Sequence, residues 1–177
     1  MKNLFILCLV AFLSSNLSQA QKFPKVKVDV SPMDAIMVRT DDKESFMRII
    51  YSRPKKNGRA IFGKLVPYGK IWRTGANEAT EITFYKNVNF EGKEVKAGTY
   101  TLFTIPGENE WTVILNSEIN QWGTYNYDAS KDVARVVTTP RKTAANVETF
   151  SIAAKSKKGT YDLLIGWDDT FIELSIQ

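Results

Sequence analysis

The feature that most constrains this chain is a two-residue alternation. From Val26 onward, apolar side chains recur at every second position in short runs. That spacing turns one face of an extended strand into a core and the other toward water. Phe46-Met47-Arg48-Ile49-Ile50-Tyr51 and Thr80-Glu81-Ile82-Thr83-Phe84-Tyr85 carry it, followed by runs over 99–105, 110–115, 133–138, 147–154, 160–167 and 171–176. Each is rich in β-branched and aromatic residues and bounded by Gly, Pro, Asn or Asp. Glu91-Gly92 reads as a tight hairpin between Val88-Asn89-Phe90 and Glu94-Val95, and Pro106 to Asn109 as a second reversal. Trp167-Asp168-Asp169-Thr170 reads as the turn joining the last two strands. The pattern predicts an all-β fold, a single-domain antiparallel β-sandwich of roughly nine or ten strands.

Two stretches interrupt the alternation. Residues 54–77 form one long irregular loop holding Pro54, Gly58, Pro67, Gly69 and Gly75, and residues 119–131 place Trp122, Tyr125 and Tyr127 in a polar setting with room for one helical turn. A loop of the first kind inside a compact domain is either functional or tied down by its own side chains.

The N-terminus has a different character. Lys2, the apolar run Leu4 to Leu13 and Ser18-Gln19-Ala20 have the three-part form of a secretory signal, which predicts cleavage after residue 20 and export to the periplasm or beyond. The run is too short to span a bilayer as a helix and no later segment is longer, so no transmembrane segment is expected after cleavage. The sole cysteine, Cys8, leaves with the signal. Residues 21–177 are then expected to fold as one domain on a hydrophobic core alone, without a disulfide.

Composition removes several mechanisms. There is no histidine, which excludes a Ser-His-Asp triad, a Cys-His pair and the common histidine zinc sites. No metal and no cofactor is expected. The formal charge is +5, but basic residues are scattered among acids, and an exported protein meets little nucleic acid, so that partner is set aside. Gly58 to Lys64 matches a phosphate-binding loop but is followed by Leu65, where magnesium chemistry needs a hydroxyl. Ser52-Arg53-Pro54-Lys55 has the spacing of a serine–lysine nucleophile, but Pro54 sits inside the helix that spacing requires. Asp128 to Asp132 lacks the glycine and distal glutamate of a calcium loop. Glu78 and Glu81, read as strand residues three apart, would face opposite sides of a sheet.

The long loop remains. Trp72-Arg73-Thr74-Gly75-Ala76-Asn77-Glu78 gathers an aromatic ring, a guanidinium, a hydroxyl, an amide and a carboxylate, with Arg53 and Arg59 just upstream. Arginine grips carboxylate, phosphate or sulfate with two parallel donors, and Trp72 offers a flat face to a sugar or ring. The ligand-binding candidates are therefore Arg53, Arg59, Trp72, Arg73, Thr74, Asn77, Glu78 and Trp122, for a small anionic or sugar-like ligand. The competing reading makes the loop a latch in which Arg73 or Arg59 pairs with Glu78 while Asn77 and Thr74 satisfy loop carbonyls. Trp111 and Trp167 sit in alternating strand runs and belong to the core face, which leaves Trp72 and Trp122 as possible exposed platforms.

Tyr51-Ser52-Arg53-Pro54, Leu65-Val66-Pro67-Tyr68-Gly69, Trp72 to Thr80, Ala97 to Gly107 and Gln121-Trp122-Gly123 together resemble the domain-of-unknown-function family numbered 2911, a group of exported bacterial proteins. The resemblance covers nearly all of residues 21–177 and implies export and a compact β-rich domain; it implies no activity. Ala97 to Leu102 is also similar to a hairpin of prealbumin-like sandwich modules, a likeness of fold. The first expectation is a non-catalytic binding or recognition module. The alternatives are a hydrolase with Glu78 as acid or base beside Arg73 and Asn77, and a structural envelope protein in which the loop is only a salt-bridged latch; the partner is then another envelope component in place of a small ligand.

Overall fold

The computed structural model describes residues 21–157 and 159–177; the expected signal over residues 1–20, with Cys8, lies outside them. Ten strands follow in order: β1 (Met33–Arg39), β2 (Ser45–Ser52), β3 (Glu81–Phe84), β4 (Val88–Phe90), β5 (Lys93–Val95), β6 (Gly98–Ile105), β7 (Trp111–Asn116), β8 (Asp132–Thr138), β9 (Arg141–Lys157) and β10 (Thr160–Ile176). A 3₁₀ turn, Ala129–Lys131, precedes β8. No helix among the described residues is long and apolar enough to cross a membrane.

The strands form two antiparallel sheets, one in the order β1-β2-β3-β6-β7-β8 and one in the order β5-β4-β10-β9. Their inward residues meet in one hydrophobic cluster. Phe46, Ile49, Ile82, Leu102, Val113 and Leu115 come from the first sheet, and Phe90, Phe150, Leu163, Ile165, Ile172 and Leu174 from the second. This is the sandwich that the alternation predicts.

Two details differ from the expectation. Trp167 to Thr170 is not a turn, because β10 runs through it as a single strand of 17 residues paired along β9. The register shifts between Gly166 and Asp168 and again between Asp168 and Thr170, and Asp168 takes a left-handed φ of 58°. The turn-forming residues are absorbed as bulges, which bend the strand without ending it. Strand β1 alternates in burial but not in residue type: Met33, Ala35 and Met37 lie on its exposed face and Ile36 and Val38 on its half-buried one. It lies at a sheet edge, where that is tolerated.

The long loop is tied to both sheets. Lys56 N–H donates to Glu148 O and Phe150 N–H to Pro54 O on β9; Gly69 N–H donates to Pro106 O, and Trp72 N–H to Thr104 O on β6. Ile61, Val66 and Trp72 enter the common core. Trp72 is therefore not an exposed platform: only 7% of it reaches solvent. Its ring stacks on Trp167 at 6.1 Å and 16°, and meets Phe62, Trp111 and Phe150 edge-on. Its indole N–H donates to Gly75 O at 3.1 Å.

Trp72→Ala would open a cavity at the junction of both sheets and the loop. We expect it to lower unfolding free energy by about 3–5 kcal/mol, read by urea denaturation.

Candidate functional site

Trp72 fixes the direction of the residues after it. Thr104 N–H donates to Trp72 O and Thr80 N–H to Arg73 O, so the backbone enters and leaves the segment at set points. Between them Thr74 is fully buried and adopts a φ of 54°, an unfavourable region for a β-branched residue. Its hydroxyl meets Thr104 Oγ1 at 3.1 Å and Trp72 O at 3.4 Å, while Thr80 Oγ1 donates to Thr74 O. Gly75 allows close approach: a Cβ there would stand 3.0 Å from Ser52 O. Thr74 is thus a structural residue.

Beside this segment lies a cavity of about 430 Å³. Trp72, Trp167 and Val66 form its buried base, and Lys55, Asn57, Arg59, Arg73, Asn77 and Ser31 bring polar groups to it. Three of the lining residues are cationic and none is acidic. The guanidinium of Arg59 is partly committed, with Nε donating to Lys56 O and an Nη to Lys55 O. Arg73 differs. Its Nε is buried without a hydrogen-bond partner among the described residues, and burial lowers its pKa from the usual arginine value. Such a nitrogen is costly to leave unpaired.

Asn77 closes one side of the cavity in a left-handed conformation, φ 56°. Its amide donates to Asp29 Oδ1 at 3.1 Å, and that oxygen also accepts from Ser31 N at 2.7 Å. The Ser31 N–H first, and the Asn77 amide second, hold the Asp29 carboxyl below its ordinary pKa.

The remaining candidates lie elsewhere. Arg53 is a clamp: it pairs with Asp34 on β1 at 3.0 Å and donates to Phe150 O and Ser151 Oγ on β9. Glu78 is exposed and lines a second cavity of about 210 Å³ with Glu81, Ser52, Asn120 and Tyr51. Because Glu78 sits before β3 and not within it, the two carboxylates share a cavity, contrary to the opposite faces that strand spacing predicts. Neither Arg73 nor Arg59 pairs with Glu78, which makes no ion pair among the described residues, so the expected Arg–Glu latch is not formed. Trp122 is 58% exposed on the turn that follows β7.

The structure thus assembles Arg59, Trp72, Arg73 and Asn77 and leaves Arg53, Thr74, Glu78 and Trp122 out of the cavity wall. Sequence reasoning missed Lys55 and Asn57, which stand beside Arg53 and Gly58 in the turn it had already marked as irregular.

Glu78→Gln should leave unfolding free energy within about 0.5 kcal/mol of the parent in urea denaturation, because no partner loses a contact. A family model described as a protein of unknown function (DUF2911) matches residues 31–176. No curated protein matches the chain, and no solved structure does.

Proposed function

The chain belongs to the DUF2911 family, a membership that carries no activity, and we propose that it is an exported, non-catalytic module that binds a small anionic ligand in the cavity beside Trp72. The observation that carries this reading is the half-buried guanidinium of Arg73 on the wall of a cavity lined by two further cations and no acid. A carboxylate, phosphate or sulfate supplies what the guanidinium lacks, an oxygen acceptor and a compensating charge, in two-pronged geometry. Lys55, without an ion pair among the described residues, adds a second charge at the rim.

The groups around the cavity are cations, amides, a hydroxyl and indole faces. They bind and orient; no carboxylate is among the lining residues, and that of Asp29 beside them is engaged by the Ser31 N–H and the Asn77 amide. The acid or base role considered for Glu78 would have to operate from the other cavity, away from Arg73 and Asn77. Export rests on the signal-like residues Lys2 to Ala20.

Sulfate and phosphate should raise the melting temperature of the purified protein in a saturable way, by the linkage of native-state binding to stability. Sulfate also stabilises proteins generally, so the comparison is Arg73→Gln in the same buffers. The variant should keep the parent's stability without ligand and bind about tenfold or more weakly, the loss expected of a charge-assisted bond. Identical sulfate responses in parent and variant would refute the reading.

A further inference from the structure

One exposed feature remains unused by the anion cavity. Of the four tryptophans, three are buried, while Trp122 is 58% exposed and followed closely by Tyr125 at 85%, with Ile119 at 41% on the same turn. Isolated exposed apolar side chains are ordinary, but this group is held in place by the backbone. Glu78 and Trp122 form an antiparallel β-bridge, Ala79 N–H donates to Gln121 O at 2.8 Å, and Gly123 N–H donates to Asn77 O at 3.1 Å. Gly123 has a φ of 67°, and a Cβ at that position would stand 2.9 Å from the Tyr125 ring. The glycine therefore serves both the turn and the seating of Tyr125 against the backbone. The Trp122 indole N–H has no partner among the described residues, and its ring stacks on no other aromatic.

This turn adjoins the cavity directly. Asn77 lines the cavity and also accepts the Gly123 N–H through its carbonyl. The Trp122 turn thus stands between the cationic cavity, which it meets through Asn77, and the cavity of Glu78 and Glu81, which it meets through its bridge with Glu78; the cationic cavity's remaining polar groups include Asn57, Asn77 and Ser31.

We propose that the anion recognised here is the acid group of an acidic oligosaccharide: its carboxylate or sulfate enters the cavity to Arg73, and a neighbouring pyranose ring packs on Trp122. The inference rests on the anion-binding reading and names its substrate class. A pyranose presents a C–H face that packs on an indole, with hydroxyl groups at its edge for amide and hydroxyl partners. The charge of the cavity selects acidic over neutral sugars.

The test measures affinity for uronic-acid tetrasaccharides (glucuronate, galacturonate and mannuronate types), for neutral tetrasaccharides of the same linkage, for inorganic sulfate, and for benzoate. At least one acidic tetrasaccharide should bind about tenfold or more tightly than either sulfate or its neutral counterpart. Trp122→Ala should lose about tenfold for that saccharide and leave sulfate affinity unchanged, Trp122→Phe should recover part of the loss, and Arg73→Gln should weaken both ligands. Sulfate binding with no preference for acidic saccharides, or an unchanged saccharide affinity in Trp122→Ala, overturns this proposal and leaves the small-anion reading standing. Benzoate binding tighter than every saccharide overturns it in favour of a flat aromatic acid. Failure of sulfate and saccharides alike overturns both.

Discussion

The burial of Trp72 is the contact on which the rest of the structure depends. Its ring lies among Phe62 of the loop, Trp111 of the first sheet, and Phe150 and Trp167 of the second. One side chain therefore joins three parts of the chain that are far apart in sequence. A tryptophan of this kind removes roughly 150–250 Å² from water, worth about 4–6 kcal/mol at the usual coefficient. That gain offsets the ordering of a loop of two dozen residues that would otherwise have little to hold it. Reciprocal hydrogen bonds with Thr104 then fix the backbone on either side of the ring.

The anchoring has a consequence for charge. After Trp72 and Arg73 the chain passes through two left-handed residues, Thr74 and Asn77, before reaching Glu78. Each changes its direction, so residues adjacent in sequence are delivered to different cavities. Arg73 and Asn77 remain beside the Trp72 indole, whereas Glu78 is carried to the β-bridge with Trp122 and toward Glu81. The loop thereby separates a cationic cavity from a carboxylate-bearing one. Had Glu78 turned back on Arg73, the guanidinium would have been neutralised within the protein, and the cavity would offer little to an anion.

Much of this fold was legible in the sequence because strand periodicity reports burial directly. Trp111, Val113 and Leu115 enter the common core as their spacing reads, although Ile114 between them is buried too, in a separate cluster, and the Glu91-Gly92 hairpin sits between β4 and β5 as its turn chemistry requires. The failures have a common physical origin. Asp168 and Asp169 are turn formers by local preference, but pairing along the whole of β9 outweighs that preference and leaves bulges. Trp72 lies in a segment without periodicity, and only the three-dimensional meeting of loop and sheets shows that its ring is inside. The candidate site was legible as a set of residue types. Its division was not, since it follows from the positive φ of Thr74 and Asn77, which neither residue type announces with the certainty of glycine.

The position of Arg73 directly after Trp72 explains how the molecule tolerates an unsatisfied charge. A desolvated nitrogen without an acceptor would ordinarily be relieved by a small shift of its backbone toward water. Here the shift is resisted on both sides, by the Trp72 ring in the core and by the Thr74 and Thr80 hydroxyl bonds that close the next turn. The strain of Thr74 and the unpaired Nε of Arg73 are thus carried by the same over-determined anchor. Local cost of this kind persists only where surplus packing nearby holds it in place.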